Sequence, residues 1–171
     1  PTLTRELTLT LNFSEDVEAI FSPIISLNDA LNAPDLTWTT GGESPWVGQS
    51  AVTNDGEDAA MSTFAEPVTQ GAVSWLETVI EGPVKLTFSG RTFPEYTPSA
   101  GEVSVDGAKV FSMSNTTGWQ SYFVFLAPGS HTVRWSNHQG TTPSRLLIDQ
   151  VAIAASHDSD NDGLSDEWEQ R

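Results

Sequence analysis

Acidic side chains recur at a regular spacing near the C-terminal end of the chain. In residues 158–169, carboxylates occupy loop positions one, three, five, nine and twelve, and Gly163 occupies position six. Ca²⁺ takes roughly six to eight oxygen ligands, and a twelve-residue loop with this spacing can supply them around one ion. Glycine at position six permits the sharp bend, because it has no Cβ. The predicted ligands are the carboxylates of Asp158, Asp160, Asp162, Asp166 and Glu169 and the backbone carbonyl of Leu164.

A solvated acidic tail is the alternative interpretation of this segment. The full pattern is improbable by chance, so we favour Ca²⁺ as the cofactor and expect a short helix from about Ser165, with Leu164 and Trp168 on one face. An apolar strand precedes the loop where a second helix is usual. In this respect the segment resembles the calcium loops of thrombospondin type 3 and dockerin-like repeats of secreted bacterial proteins. A single such loop predicts weak affinity, about 10⁻⁴ to 10⁻³ M.

Asp149 is a second candidate metal ligand. It is in phase with Leu147, Val151 and Ile153, so its carboxylate is expected on the face that these residues bury. A buried carboxylate needs a hydrogen-bonding partner or a cation. The alternative is that it accepts backbone N–H bonds in a turn or pairs with Arg145 or Arg134.

Asp55, Glu57 and Asp58 form another cluster of carboxylate oxygens. A second metal site formed by Asp149, Asp55 and Asp58 is therefore a hypothesis. An ordinary Asn-Asp-Gly turn at 54–56 explains the same residues and is the favoured interpretation.

Aromatic side chains on loops are the candidates for binding a sugar, because their faces can stack on pyranose rings. Trp46 lies in a segment rich in Gly and Pro, and Tyr96 lies in a loop from Arg91 to Gly101 that contains two prolines. Loops on a rigid scaffold commonly carry binding residues, so Trp46, Arg91 and Tyr96 are the predicted ligand contacts. The strand-like context of Trp38, Trp75, Trp119 and Trp135 predicts that they belong to the core.

The composition restricts the classes of partner. The chain has 23 Asp and Glu against 7 Lys and Arg, a formal net charge of −16, and no cysteine. Such a chain repels nucleic acid, and it can form neither disulfides nor thiolate metal sites. There is no apolar run long enough to enter a membrane. Neither a Gly-x-Ser-x-Gly nor a Ser-x-x-Lys motif occurs, so we expect no enzyme, although paired carboxylates acting on a glycoside stay open.

Alternating apolar residues predict strands along most of the chain. One face of the first strand would carry Leu3, Leu7, Leu9, Leu11 and Phe13, and one helical turn would follow at Ser14 to Phe21. Further strands are predicted around Val84 to Phe88, at Val103 to Val110 through an Asp106-Gly107 hairpin turn, at Tyr122 to Leu126, at His131 to Trp135 after a Pro128-Gly129 turn, and at Leu146 to Ala154. His131 is expected in the core, and Ala30 to Ala65 reads as irregular.

These short strands and frequent turns predict an all-β, antiparallel jelly-roll β-sandwich at 1–155, followed by the EF-hand-like calcium loop and short helix at 156–171. The layout resembles MAM-like domains and carbohydrate-binding modules, accessory domains of secreted bacterial proteins. The resemblance rests on Leu36–Gly42, Pro45-Trp46, Asp55-Gly56, Ser74–Glu77, Gly82-Pro83, Gly118–Gln120, Pro128-Gly129 and Ile148–Val151.

This resemblance implies a non-catalytic, extracellular or cell-surface module that binds polysaccharide or a cell-surface glycan, or acts in adhesion, beside flanking domains of the same polypeptide. A structural spacer stiffened by calcium, with no ligand of its own, is the alternative. A calcium held by an Asp on the last strand, here Asp149, is a further implication of the resemblance.

Overall fold

The computed structural model describes residues 24–93, 100–113, 118–156 and Asp166. The predicted strand at Leu3 to Phe13, the turn at Ser14 to Phe21, Tyr96 and the calcium loop other than Asp166 lie outside these residues. Asp166 is helical and half-buried. Within the described residues, no helix has the length and apolar character needed to cross a membrane.

Antiparallel strands make up almost all of the regular secondary structure in the described residues, which confirms the predicted all-β class. The elements are α1 (Leu27–Ala30), β1 (Thr39–Gly42), β2 (Trp46–Gln49), β3 (Ala59–Ser62), β4 (Val73–Phe93), β5 (Ala100–Val105), β6 (Ala108–Met113), β7 (Gln120–His138) and β8 (Arg145–Ala155). The strands are hydrogen-bonded in the order β2-β3-β8-β4-β7-β5-β6, with β1 on β4. The region from Ala30 to Ala65, which we expected to be irregular, contains three of these strands.

The sheet folds over on itself into a sandwich. Trp135 on β7 pairs with Leu76 on β4, and Leu76 lies twelve residues before Phe88, a distance of about 40 Å along an extended strand. The rings of Phe88 and Trp135 are nevertheless 5.3 Å apart and meet edge to face. Strands β4 and β7 therefore run through both layers. Layer A contains β2, β3, β8 and the adjoining halves of β4 and β7, and layer B contains β1, β5, β6 and the other halves.

Both long strands bend at paired glycines. Gly82 pairs with Gly129, and the register between β4 and β7 shifts between Gly82 and Val84. A Cβ on Gly82 would lie 1.9 Å from the carbonyl oxygen of Ala127, so a larger residue would push the two backbones apart. The Pro128-Gly129 turn predicted between two strands is therefore wrong. It is a bend inside the single strand β7, which carries one sequence from layer A into layer B.

The core lies between the layers. Leu86, Phe88, Leu146 and Ile148 from layer A meet residues of layer B that include Leu76, Val103, Val133 and Trp135, all essentially buried. Local chemistry explains the β5–β6 hairpin, because Asp106 and Gly107 have φ values of 51° and 78°, as the favoured two-residue turn requires. The predicted hairpin and the strand at Leu146 to Ala154 are both confirmed.

Candidate functional site

The outward side of layer B carries a row of polar residues, which we call the groove face. In β4, Ser74, Leu76, Thr78 and Ile80 are buried, whereas Trp75 and Glu77 between them are half-buried. The pairings of Glu77 with Arg134 and of Trp75 with Ser136 place the matching positions of β7 on the same side. Glu102 and Ser104 of β5 continue the row, since they pair with Ser136 and Arg134. Strand periodicity alone therefore gathers one Trp, one Arg and two Glu on this side.

Two concavities lie next to each other on the groove face. The larger, of about 500 Å³, is lined by residues that include Glu77, Glu102, Ser104, Arg134 and Ser136. The smaller, of about 340 Å³, is lined by Asp35, Thr37, Thr39 and neighbouring residues of β4. Glu77 lines both. The two therefore adjoin at this residue, and an extended ligand could lie across β1, β4, β7 and β5.

Trp75, Glu77 and Arg134 form the centre of the groove face. The guanidinium carbon of Arg134 lies 4.4 Å from the centre of the Trp75 ring. Its Nε donates to Oε2 of Glu77 at 2.6 Å, and Nη2 lies 2.5 Å from the same oxygen. An arginine that stacks on an indole and hydrogen-bonds to a carboxylate loses much of its rotamer freedom. The three side chains thus form one ordered cluster, of which Glu77 and Arg134 line the larger concavity.

Gly41 on β1 makes room for the Trp75 ring. The two residues are paired, and a Cβ on Gly41 would lie 2.6 Å from Cζ2 of Trp75. Any larger residue at this position would displace the indole. The neighbouring hydroxyl of Thr40, on the inner side of β1, bonds instead to the carbonyl oxygen of Trp75 at 2.9 Å. Strand β1 therefore holds Trp75 in place through both its backbone and its side chain.

Two of the predicted sugar contacts, Trp46 and Arg91, lie elsewhere. Trp46 is only 3% exposed and belongs to the core, so the expectation of an exposed loop aromatic is wrong. It begins strand β2, where burial of apolar area outweighs the flexibility of the surrounding Gly and Pro residues. Arg91 is half-buried on β4, and its guanidinium carbon lies 5.9 Å from the ring of Phe93. Neither residue lines the groove face.

Trp75 is the aromatic that our interpretation of the sequence assigned to the core. The sequence signal that could have located it is the alternation of Trp75, Glu77 and Val79 with Leu76 and Ile80. Trp135 occupies the core as expected, and Trp38 packs against it with ring centres 5.7 Å apart.

A second surface with aromatic residues lies on the outward side of layer A, and we call it the aromatic face. Phe123 and Phe125 meet with ring centres 5.5 Å apart at 70°. The ammonium of Lys85 lies 5.4 and 5.5 Å from the two ring centres. Phe123 is 42% exposed. The two tilted rings present no common plane on which a sugar could stack.

Asp149 is fully buried, as predicted, but it lies outside the core. The pairing of β8 with β4 shifts between Thr87 and Ser89, and Gln150 has a φ of 52°. This bulge inserts a residue, so Ile148 and Val151 both face the core while Asp149, paired with Ser89, faces outward. Residues of the 50–58 loop cover it, because the backbone N–H of Asn54 donates to its Oδ2 at 2.7 Å.

Burial leaves the Asp149 carboxylate incompletely compensated. Its other oxygen, Oδ1, is buried and has no hydrogen-bond partner within the described residues. Desolvation raises the pKa of Asp149 above the usual 3.8, although the backbone N–H groups of Asn54, Gln150 and Asp55 oppose that shift. Of the predicted partners, Arg134 pairs with Glu77 and Arg145 lies over Phe64 at 5.1 Å. Backbone N–H bonding is therefore the alternative that the structure supports.

The Asp55 cluster has the geometry of a turn. Oδ1 of Asp55 accepts from the N–H of Glu57 at 2.9 Å, and Gly56 has a φ of 93°. Burial, followed by the charge of Asp55, raises the pKa of Asp58 above 3.8, and Oδ1 of Asp58 is buried without a hydrogen-bond partner in the described part of the chain. Across residues 24–93, 100–113 and 118–156, no three acidic or histidine side chains converge on one ion position. A metal at Asp149, Asp55 and Asp58 stays a prediction that would require backbone oxygens as further ligands.

His131 is paired at the surface, so its predicted place in the core is wrong. Its Nδ1 lies 2.7 Å from Oδ2 of Asp106, and its Nε2 lies 3.0 Å from the carbonyl oxygen of Ala127. The bond to Asp106 raises the pKa of His131 above 6.5 and lowers that of Asp106 below 3.8. The pair connects the β5–β6 turn to the bend of β7, at one end of the groove face.

Solved structures of adhesin and carbohydrate-binding domains share this fold. The K1 cleaved adhesin domain of Lys-gingipain from Porphyromonas gingivalis W83 is 17% identical, covering 72% of this chain and 95% of its own, with a TM-score of 0.58. The K3 domain of the same protein is 16% identical over 69% and 91%, with a TM-score of 0.55. TmCBM61, solved with β-1,4-galactotriose, is 14% identical over 78% and 99%, with a TM-score of 0.53.

At these identities the likeness establishes the jelly-roll sandwich alone. No protein-family model matches the chain, and no curated protein matches it at a significant level.

Proposed function

We propose that this chain is a non-catalytic, extracellular carbohydrate-binding module, whose ligand lies across the groove face. The single observation that carries the proposal is the ordered set of Trp75, Glu77 and Arg134 beside an open groove. The half-buried indole of Trp75 can offer the part of its ring that Arg134 leaves uncovered to the C–H groups of a sugar, while a carboxylate and a guanidinium accept from and donate to its hydroxyls. A polysaccharide or cell-surface glycan bound on the groove face could therefore make both kinds of contact at once.

Two further features support this assignment. The fold is shared with TmCBM61, which was solved with β-1,4-galactotriose, and with two adhesin domains. The groove also lies on the rigid strands of layer B, so its residues are ordered before a ligand arrives, which reduces the entropy lost on binding.

The test is affinity electrophoresis against a panel of plant, marine and cell-wall polysaccharides, with Trp75→Ala as the central variant. We expect the wild-type protein to be retarded by at least one polymer, and Trp75→Ala to weaken that binding at least ten-fold. Phe123→Ala is the matched control, because it removes a part-exposed aromatic from the aromatic face. Equal loss in both variants, or no retardation of the wild type by any polymer, would contradict the proposal. The latter result would favour the structural spacer instead.

We further propose that Ca²⁺ is the cofactor and binds the loop at 158–169. The spacing of its carboxylates supports this proposal, as does the match between their oxygens and a hard cation. Binding to the folded state alone stabilises it by about 1.4 kcal/mol at a ten-fold excess of Ca²⁺ over Kd. EDTA should therefore lower the melting temperature modestly.

Calorimetric titration separates the two metal hypotheses. We expect one Ca²⁺ per chain, and loss of its binding heat in Asp160→Ala. A second stoichiometric ion that survives Asp160→Ala and is lost in Asp58→Ala would assign Asp149, Asp55 and Asp58 to a second metal site. No binding heat in the wild type would overturn calcium binding altogether.

A further inference from the structure

We propose that the groove face selects uncharged polysaccharides and rejects polyanionic ones such as polyuronates or carboxymethylated chains; this inference rests on the carbohydrate-binding function proposed above. It follows from how the charges of the groove are already paired.

Arg134 lines the groove and is already ion-paired with a carboxylate of the chain. Both its Nε and its Nη2 contact Oε2 of Glu77, and its planar face is taken by Trp75 at 4.4 Å. An acidic sugar would have to compete with Glu77 for the guanidinium. Displacing Glu77 would leave that carboxylate unpaired in the same groove.

The surroundings of Arg134 carry more negative than positive charge. Glu102 and Asp106 line the groove together with Glu77. The nearby ammonium of Lys109 lies 3.4 Å from Glu102, and His131 is bonded to Asp106. Arg134 and Lys109 thus each face a carboxylate of the chain itself, and the His131 ring is bonded to a third. The net charge of −16 adds a long-range repulsion toward any polyanion, which salt screens over about 10 Å at 0.1 M.

An uncharged chain meets a matched set of groups. A sugar hydroxyl both donates and accepts, so two adjacent hydroxyls can donate to the carboxylate of Glu77 and accept from the N–H groups of Arg134 without breaking the ion pair. Ser104 and Ser136, nearly buried at the floor of the groove, offer further hydroxyls. The paired charges therefore act as a neutral donor and acceptor surface.

The test uses one polymer in two charge states. β-1,4-galactan, β-1,4-glucan and β-1,4-mannan are each compared with their carboxymethylated derivatives by affinity electrophoresis at low and at moderate salt. For a chain that binds in neutral form, we expect carboxymethylation to weaken binding at least ten-fold at low salt and less at moderate salt. Equal or tighter binding of the carboxymethylated chain to the wild-type protein would overturn the selectivity and leave the carbohydrate-binding function standing. Retardation by none of the polymers, either here or in the wider panel described above, would overturn both.

Glu77→Gln sharpens the test, because it removes the negative charge that pairs with Arg134 and keeps a side chain of the same shape. We expect the penalty for carboxymethylation to fall several-fold in this variant. Glu66→Gln is the matched control, since it changes the net charge equally from an exposed position that does not line the groove. A penalty unchanged in Glu77→Gln, with folding verified by thermal melting, would show that Glu77 does not block the guanidinium and would contradict the inference. An equal fall in both variants would likewise contradict it.

Discussion

Glu77 and Asp149 are both carboxylates on the outward sides of strands, yet the structure handles their charges in opposite ways. Glu77 is part-exposed and meets Arg134 at 2.6 Å. Asp149 is fully buried, and one of its oxygens has no hydrogen-bond partner in the described part of the chain. A paired charge near solvent can be offered to a ligand, whereas a buried charge without a cation must be neutralised or compensated. We therefore associate Glu77 with recognition and Asp149 with stability.

The largest expected difference between substitutions of Asp149 and of Glu77 is in the free energy of unfolding. Asp149→Ala removes the acceptor of the Asn54 N–H in a buried site and should destabilise the protein by about 1–3 kcal/mol. Glu77→Ala breaks a part-exposed ion pair and should cost about 1 kcal/mol or less. Urea denaturation measures both. A greater loss in Glu77→Ala than in Asp149→Ala would reverse the comparison.

The second prediction concerns Gly41, which would affect ligand binding through the position of the Trp75 ring. Gly41→Ala places a methyl group against Cζ2 of Trp75, so the indole must move. We expect about a ten-fold loss of polysaccharide affinity, equivalent to about 1.4 kcal/mol. Gly56→Ala, where a Cβ meets nothing within 4 Å, controls for general loss of stability, because it strains the backbone at a residue that lines neither concavity of the groove face. Unchanged affinity in Gly41→Ala would mean that the ring position does not matter.

The third prediction is a pH dependence that belongs to Asp149. Its pKa in the folded state is raised above 3.8, so the folded protein holds the proton more tightly than the unfolded chain. Its contribution to stability is therefore fully present below pH 3.8 and is lost as the pH rises through the folded pKa. Asp149→Asn should abolish this part of the pH profile, measured by urea denaturation from pH 3 to 7. A profile identical to that of the wild type would contradict the assignment.

The smallest effect is expected for Asp106 and His131, because Asp106 is exposed and His131 is only half-buried. The raised pKa of His131 stabilises the fold below pH 6.5, and this contribution is lost as the pH rises through its folded pKa. The lowered pKa of Asp106 stabilises the fold above pH 3.8 and is lost as the pH falls through its folded pKa. The pair therefore acts fully between these values. NMR titration of the His131 ring should show its pKa decrease in Asp106→Asn, and no change there would contradict the pairing.

Local chemistry predicted the parts of this fold that depend on neighbouring residues. The Asp106-Gly107 hairpin, the Asp55 turn and strand β8 each follow from turn residues or from alternation within a few positions. The all-β class follows from the same signals repeated along the chain. Each of these features could be read from the sequence because its cause lies within one short segment.

The remaining features depend on contacts between distant segments. The bends at Gly82 and Gly129 exist because β4 and β7 pair through both layers, and no local signal distinguishes such a bend from a turn. The bulge at Gln150 shifts the alternation, so Asp149 leaves the core although its spacing from Val151 predicts otherwise. Trp46 lies in the core and Trp75 on the outward side of layer B, the reverse of what their local sequences predict, since which side of a strand is covered depends on the layer opposite.

Chemical-shift mapping with an uncharged oligosaccharide is the most direct test of the groove face. A ¹⁵N-labelled protein is titrated with the sugar, and its backbone, indole and guanidinium signals are followed. We predict that the largest shifts fall on Gly41, Trp75, Arg134 and Ser136, while the signals of Lys85 and Phe123 stay unchanged. Shifts confined to the aromatic face, by a sugar that the protein does bind, would contradict the groove face as its binding site.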